Sequence, residues 1–75
     1  MKLKVFGQLT DLIGSNDIEI AHATDTDNLI ETLQMKYPAL KNFKYKIAVN
    51  RNIIQSSTSL NDDTEIALLP PFSGG

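Results

Sequence analysis

Apolar and polar residues alternate in three stretches of this chain, run apolar in a fourth and follow helical spacing in another, and those patterns predict its elements. In Lys2 to Phe6, Leu3 and Val5 point to one face while Lys2, Lys4 and Phe6 point to the other, as in a half-buried strand. Gly7 breaks the strand. A short connection with Leu9, Leu12 and Ile13 ends at Gly14, Ser15 to Asp17 supply turn chemistry, and a second alternating run follows at Ile18, Glu19 and Ile20. The reading is a hairpin with an elaborated loop.

Thr24, Asp25, Thr26 and Asp27 then offer side-chain oxygens and negative charge where a helix start leaves amides unpaired. Leu29, Ile30, Leu33 and Tyr37 recur at helical spacing, and Pro38 forbids continuation, so the pattern predicts about three turns with one buried face. After a polar connection, Tyr45, Ile47 and Val49 alternate with Lys44, Lys46, Ala48 and Asn50. Asn50, Arg51 and Asn52 suit a reversal into a short run at Ile53 and Ile54. Past Leu60 and the turn residues 61–64 comes a last strand, Glu65 to Leu69, with Ile66 and Leu68 on one face and Ala67 and Leu69 on the other. The order is ββαβ(β)β.

One helix covers one face of a sheet. The opposite face receives Phe6, Ala48, Ala67 and Leu69, which are either scattered exposed apolars of the ordinary kind or a partner-binding patch leading into Pro70, Pro71 and Phe72.

Composition narrows the function classes. Seventy-five residues make at most one small domain, too small to enclose a deep active site, and 41% apolar residues with a net charge of −2 predict that it folds. No cysteine is present, which removes thiolate chemistry and disulfides, and with His22 as the single histidine a zinc site is nearly excluded. Asp62, Asp63 and Glu65 are explained as turn residues ahead of a strand. The acidic balance, without aromatic platforms, argues against nucleic acid, and the longest apolar run, Ile66 to Leu69, is far short of a membrane span or signal core. A cytoplasmic location is the expectation. Lys36, Lys41, Lys44, Lys46 and Arg51 gather most of the basic charge after the helix; a solvated face explains them, with an acidic partner as the alternative.

The end of the chain carries the sharpest signal: Pro70, Pro71, Phe72, Ser73, Gly74, Gly75. Consecutive prolines end strand pairing and send the backbone out extended, six residues spanning about 18 Å. Two residues without side chains let a terminal carboxylate enter a channel as narrow as a peptide backbone. Such a carboxylate needs activation, for example as an acyl-adenylate, before a sulfur, oxygen or nitrogen nucleophile attacks it. A frayed glycine-rich terminus is the competing reading.

On these residues the chain resembles the ubiquitin-like β-grasp family, and within it the small sulfur-carrier subunits of molybdopterin synthases. The resemblance covers nearly the whole length: Val5, Phe6, Gly7 and Leu9, then Ala48, Val49 and Asn50, and above all Leu60 through Gly75. Asn61, Asp62, Asp63 stand where the family often has Asp-Gly-Asp, leaving Asp62 to supply the turn, and Thr10 stands where many relatives carry a basic residue.

The resemblance implies an α+β fold with a small mixed sheet on one main helix over residues 1–69, and a flexible tail over 70–75. It implies that the chain is not an enzyme on its own and binds no cofactor itself. An activating enzyme would adenylate Gly75 with ATP and a sulfur donor would convert it to a thiocarboxylate. The tail would then enter the large synthase subunit, in a heterotetramer, to give sulfur to a pterin precursor. Gly74 would provide clearance, Pro70, Pro71, Phe72 and Ser73 would position the thread, and Phe6, Ala67 and Leu69 would dock. Sulfur delivery to another pathway, protein modification through Gly75, and a plain β-grasp binding module are the alternatives.

Overall fold

The computed structural model describes residues 1–20 and 22–71. Phe72, Ser73, Gly74 and Gly75, which carry most of the expected tail, lie outside the described residues. The elements run β1 (Lys2–Val5), α1 (Leu9–Ile13), β2 (Asp17–Glu19), α2 (Thr26–Lys36), a 3-10 turn (Pro38–Asn42), β3 (Lys46–Val49), β4 (Asn52–Ile53) and β5 (Ile66–Leu69). One five-stranded mixed sheet has the order β2-β1-β5-β3-β4. Its centre is a parallel pair, β1 beside β5, flanked by antiparallel neighbours on both sides. This is the expected β-grasp architecture.

Sheet alternation and the α2 stripe meet in one core. Leu3, Val5, Ile47, Val49, Ile66 and Leu68 face Leu29 and Leu33 of α2, with Leu9, Ile13, Ile20, Ala23 and Leu40 closing the ends. Helix α2 begins where Asp25 Oδ1 accepts the Asn28 amide at 2.8 Å, and ends where the Tyr37 amide bonds Leu33 O before Pro38. Two-residue reversal between β3 and β4 places Asn50 (φ 50°) and Arg51 (φ 71°) in the left-handed region. Asn50 also extends the ladder: its amide donates to Glu65 O and its Oδ1 accepts the Glu65 amide.

Three local details differ from the expectation. The connection after Gly7 is the short helix α1, burying Leu9 and Ile13 and capped by Gly14 at φ 89°. Five residues cannot hold a helix alone, so packing of its two apolar residues sustains it. The polar connection after Pro38 contains a fully buried Leu40. Asp62 does not take a left-handed conformation; instead Asn61 Oδ1 accepts the Asp63 amide and Thr64 Oγ1 accepts the Asn61 amide, closing the turn through side chains.

The long segment before β5 is tied to the start of α2 by reciprocal bonds. Thr26 N–H donates to Thr58 O, and buried Thr26 Oγ1 accepts the Thr58 amide, both at 2.9 Å. Thr26→Val keeps the shape but leaves that amide without its acceptor. It should lower unfolding free energy by about 1–3 kcal/mol in urea titration, whereas Thr32→Val, at a half-buried position of the same helix, should cost less.

Candidate docking face and tail root

Strand register lays out the uncovered face row by row. Asp17, Lys4, Ala67, Ala48 and Ile53 form one row across β2, β1, β5, β3 and β4. One step toward the chain end, Lys46 is opposite Leu69, and on the other side Phe6 follows the Val5–Leu68 pairing, its amide donating to Leu68 O at 3.0 Å. Phe6, Ala67 and Leu69 therefore share the face that the alternation predicted. Phe6 is 46% exposed, while Ala67 and Leu69 are half-buried.

Two positions change the expected patch. Ala48 lies on this face but is only 6% exposed, because Ala67 and Ile53 flank it on adjacent strands; it forms the floor of an open depression bordered by Lys4, Phe6, Arg51, Glu65 and Ala67. Ile53, 50% exposed, belongs to the patch and was absent from the sequence-based set. Its signal was available: a two-residue reversal at Asn50 and Arg51 pairs Ile53 with Ala48 and puts it on Ala48's face.

Around this apolar strip the charge is mixed. Lys2 pairs across from Glu19 and Lys4 from Asp17, while Lys46 faces apolar Leu69. Glu19 accepts a 2.6 Å hydrogen bond from the Met1 ammonium, and that bond, then the ammonium's charge, holds its carboxyl below the usual range. Folding lowers this pKa, so the contribution is present above the ordinary carboxylate range and is lost as pH falls through the lowered value. Arg51 meets Glu65 at 3.2 Å on the exposed surface, and Lys36 lies 5.8 Å from the Tyr37 ring. The basic residues after the helix thus belong to several elements, with two of the five already engaged.

His22 is exposed in the loop before α2, and Asp62 and Asp63 are exposed in the turn before β5. Among the described residues no group of three or more His, Cys, Asp or Glu side chains converges on a point, and no helix is long and apolar enough to cross a membrane. Strand β5 ends at Leu69, and Pro70 follows beside Gly7, where Pro70 cannot donate a further ladder bond. Pro70 is half-buried and Pro71 exposed. Of the expected site, the described residues contain the docking residues and these two prolines.

The fold and its one-sided covering define a ubiquitin-like β-grasp domain whose central strand runs out into a Pro-Pro segment. The chain belongs to the ThiS family, whose model matches residues 3–75. It is 39% identical over 61 residues to a molybdopterin synthase sulfur carrier subunit from Mycobacterium tuberculosis, covering 79% of this chain and 74% of that protein. Among solved structures it is similar to the small archaeal modifier protein 1 from Methanosarcina acetivorans, with TM-score 0.82, 30% identity and coverage of 99% and 94% of the two chains. It is also similar to a chain in the complex of subunits 1 and 2 of molybdopterin-converting factor from Helicobacter pylori, with TM-score 0.72, 31% identity and coverage of 99% and 96%.

Substitutions separate the two faces. Phe6→Ser and Ile53→Ser, on the uncovered face, should each change unfolding free energy by no more than about 1 kcal/mol, whereas Leu68→Ala on the core face should cost about 2–5 kcal/mol. Comparable losses in chemical denaturation would reverse the assignment of faces.

Proposed function

We propose that this chain is the sulfur-carrying subunit of a molybdopterin synthase and that its reagent is the carboxylate of Gly75. The observation that carries the reading is the segment Pro70 to Gly75 continuing directly from a central strand of a ThiS-family domain. A carboxylate oxygen attacks the α-phosphorus of ATP on an activating enzyme, pyrophosphate leaves, and a sulfur nucleophile from a donor system displaces AMP to give a thiocarboxylate. The large synthase subunit then receives the tail, the thiocarboxylate sulfur attacks a cyclic pterin monophosphate precursor, and water cleaves the acyl–sulfur bond to restore the Gly75 carboxylate, so each charged chain supplies one of the two sulfurs of the dithiolene. Gly74 gives clearance, and Pro70, Pro71, Phe72 and Ser73 hold the thread extended. Substrate-polarising groups belong to the partner, so this chain is a carrier and not a catalyst.

The uncovered face supplies the docking surface in this reading. Phe6, Ala67, Leu69 and Ile53 offer apolar area beside the root of the tail, so that binding the face also aims the thread. The similarity to a chain solved in the complex of subunits 1 and 2 of a molybdopterin-converting factor supports such a partner. A second reading, attachment of Gly75 to lysine amines of other proteins, is favoured by the 30% identity to a small archaeal modifier protein. It shares the adenylate and differs in the nucleophile.

Incubation with an activating enzyme, ATP and a sulfur source should raise the intact mass by the difference between a sulfur and an oxygen atom, and a chain lacking Gly75 should show no gain. Persistent absence of that gain in the full chain removes the carrier reading, and isopeptide-linked products would favour the second. Leu69→Asp buries a carboxylate in the apolar contact, so affinity for the large subunit should fall by about thirtyfold or more, with little change in the unfolding midpoint. Unchanged affinity would refute the docking face.

A further inference from the structure

Gly7 and Gly14 flank the short helix α1, and both adopt positive φ, +64° and +89°. Their surroundings differ. A β-carbon on Gly14 would meet nothing within 4 Å, whereas one on Gly7 would lie 2.7 Å from Pro70 Cγ, 3.3 Å from Cδ and 3.6 Å from Cβ. A separation of 2.7 Å between carbons is far inside contact distance. The proline ring is closed onto its own backbone nitrogen and can only pucker, with no free side-chain rotation to step aside, so relief draws on a limited pucker change and on backbone movement at Gly7 and Pro70. Left-handed geometry accounts for a glycine at both positions, but only at position 7 is the missing side chain also required by space.

Both partners in this contact are held from behind. The Phe6 amide bonds Leu68 O at 3.0 Å, locking the residue before Gly7 to the strand that ends just before Pro70. On its other side, Gly7 O accepts the Thr10 amide at 3.0 Å, and α1 anchors that turn by burying Leu9 and Ile13 in the core. We infer that Gly7 is a positioning residue: its bare α-carbon is the seat of the Pro70 ring and fixes the direction in which the chain leaves the sheet. Its bearing on function rests on the reading of Gly75 as the reagent. Once threaded extended into a partner, a six-residue segment would span about 18 Å, so a turn of about 20° at its root would move its end by about 6 Å. Misplacement of a reacting atom by about 1 Å is enough to cost on the order of a hundredfold in rate.

The test uses full-length chains carrying Gly7→Ala, Gly14→Ala, Pro70→Ala, or Gly7→Ala with Pro70→Ala, which removes Cγ and Cδ, the two nearest ring atoms. The first measurement needs no partner: Cα–Hα residual dipolar couplings of residues 69–71 against those of β1 and β3 in the free chain. Gly7→Ala should alter the couplings at residues 70 and 71 while the strands keep theirs, Gly14→Ala should leave all of them as in the wild type, and adding Gly7→Ala to Pro70→Ala should change nothing. The second is affinity for the large subunit of a molybdopterin synthase that binds the wild-type chain. Gly7→Ala should lose about tenfold or more beyond the loss of Gly14→Ala, and the difference should shrink to about twofold in the Pro70→Ala background. If Gly7→Ala does not fold, recovery of folding by Pro70→Ala supports the contact, and a double variant that stays unfolded while Gly14→Ala, which carries left-handed strain without a clash, folds overturns it. Unaltered couplings at residues 70 and 71 in Gly7→Ala, or equal affinity losses for the two glycine variants, overturn the seat. Should no large subunit bind the wild-type chain, the synthase reading falls, and the free-chain couplings still decide the seat.

Discussion

The parallel pairing of β1 with β5 is the constraint on which the rest of this structure depends. Parallel neighbours cannot be joined by a tight turn, so between residues 5 and 66 the chain must cross over outside the sheet before β5 can lie beside β1. Helix α2 is the main part of that excursion, and it covers one face. Pairing the first strand with the last also sets Phe6 beside Leu69 and Gly7 beneath Pro70, although more than sixty positions separate each pair in sequence. A surface made from both ends of the chain and the point where the chain leaves the fold are thus products of the same ladder.

That ladder makes the fold one-sided. The core face takes Leu3, Val5, Ile66 and Leu68 under α2, and period-two alternation then obliges Lys4, Phe6, Ala67 and Leu69 to share the other side. With a single three-turn helix available, that side has no cover within the chain among the described residues. Toward β2 it carries Lys2 and Lys4 paired across from Glu19 and Asp17, and its larger apolar members are Phe6 and Leu69 beside the end of β5 and Ile53 on the edge strand β4.

Much of this was legible from residues. Alternation located β1, β3 and β5 and assigned their faces, because burial of one sheet side imposes a two-residue period. The Thr24 to Asp27 cluster and Pro38 bracketed α2, since capping and proline geometry are local. What escaped was non-local or small. The helical nature of α1 was hidden because Leu9, Leu12 and Ile13 are too few to fix a helix without the core beneath them, and Leu40 looked like part of a polar connection because its partners lie elsewhere in the chain. Ile53 lies on the uncovered face because the reversal at left-handed Asn50 and Arg51 is two residues long, a length that fixes its pairing with Ala48. At the turn before β5, side-chain acceptors on Asn61 and Thr64 do what a left-handed Asp62 was expected to do, a substitution of chemistry for conformational freedom.

The proposed carrier role suits the small size of the domain. A 75-residue chain buries a smaller share of its surface than a larger one, and in the role proposed above the reactive group projects from the scaffold to be enclosed by a partner. Projection is useful only if it is aimed, and aim requires a fixed root. Here the root is bounded by a central strand on one side and by a core-anchored helix on the other, with a glycine in between that leaves room for a proline ring. The helix that looked like a loop therefore has a task the core alone does not explain: it holds Gly7 in place, and through Gly7 it couples the packing of Leu9 and Ile13 to the bearing of the chain end.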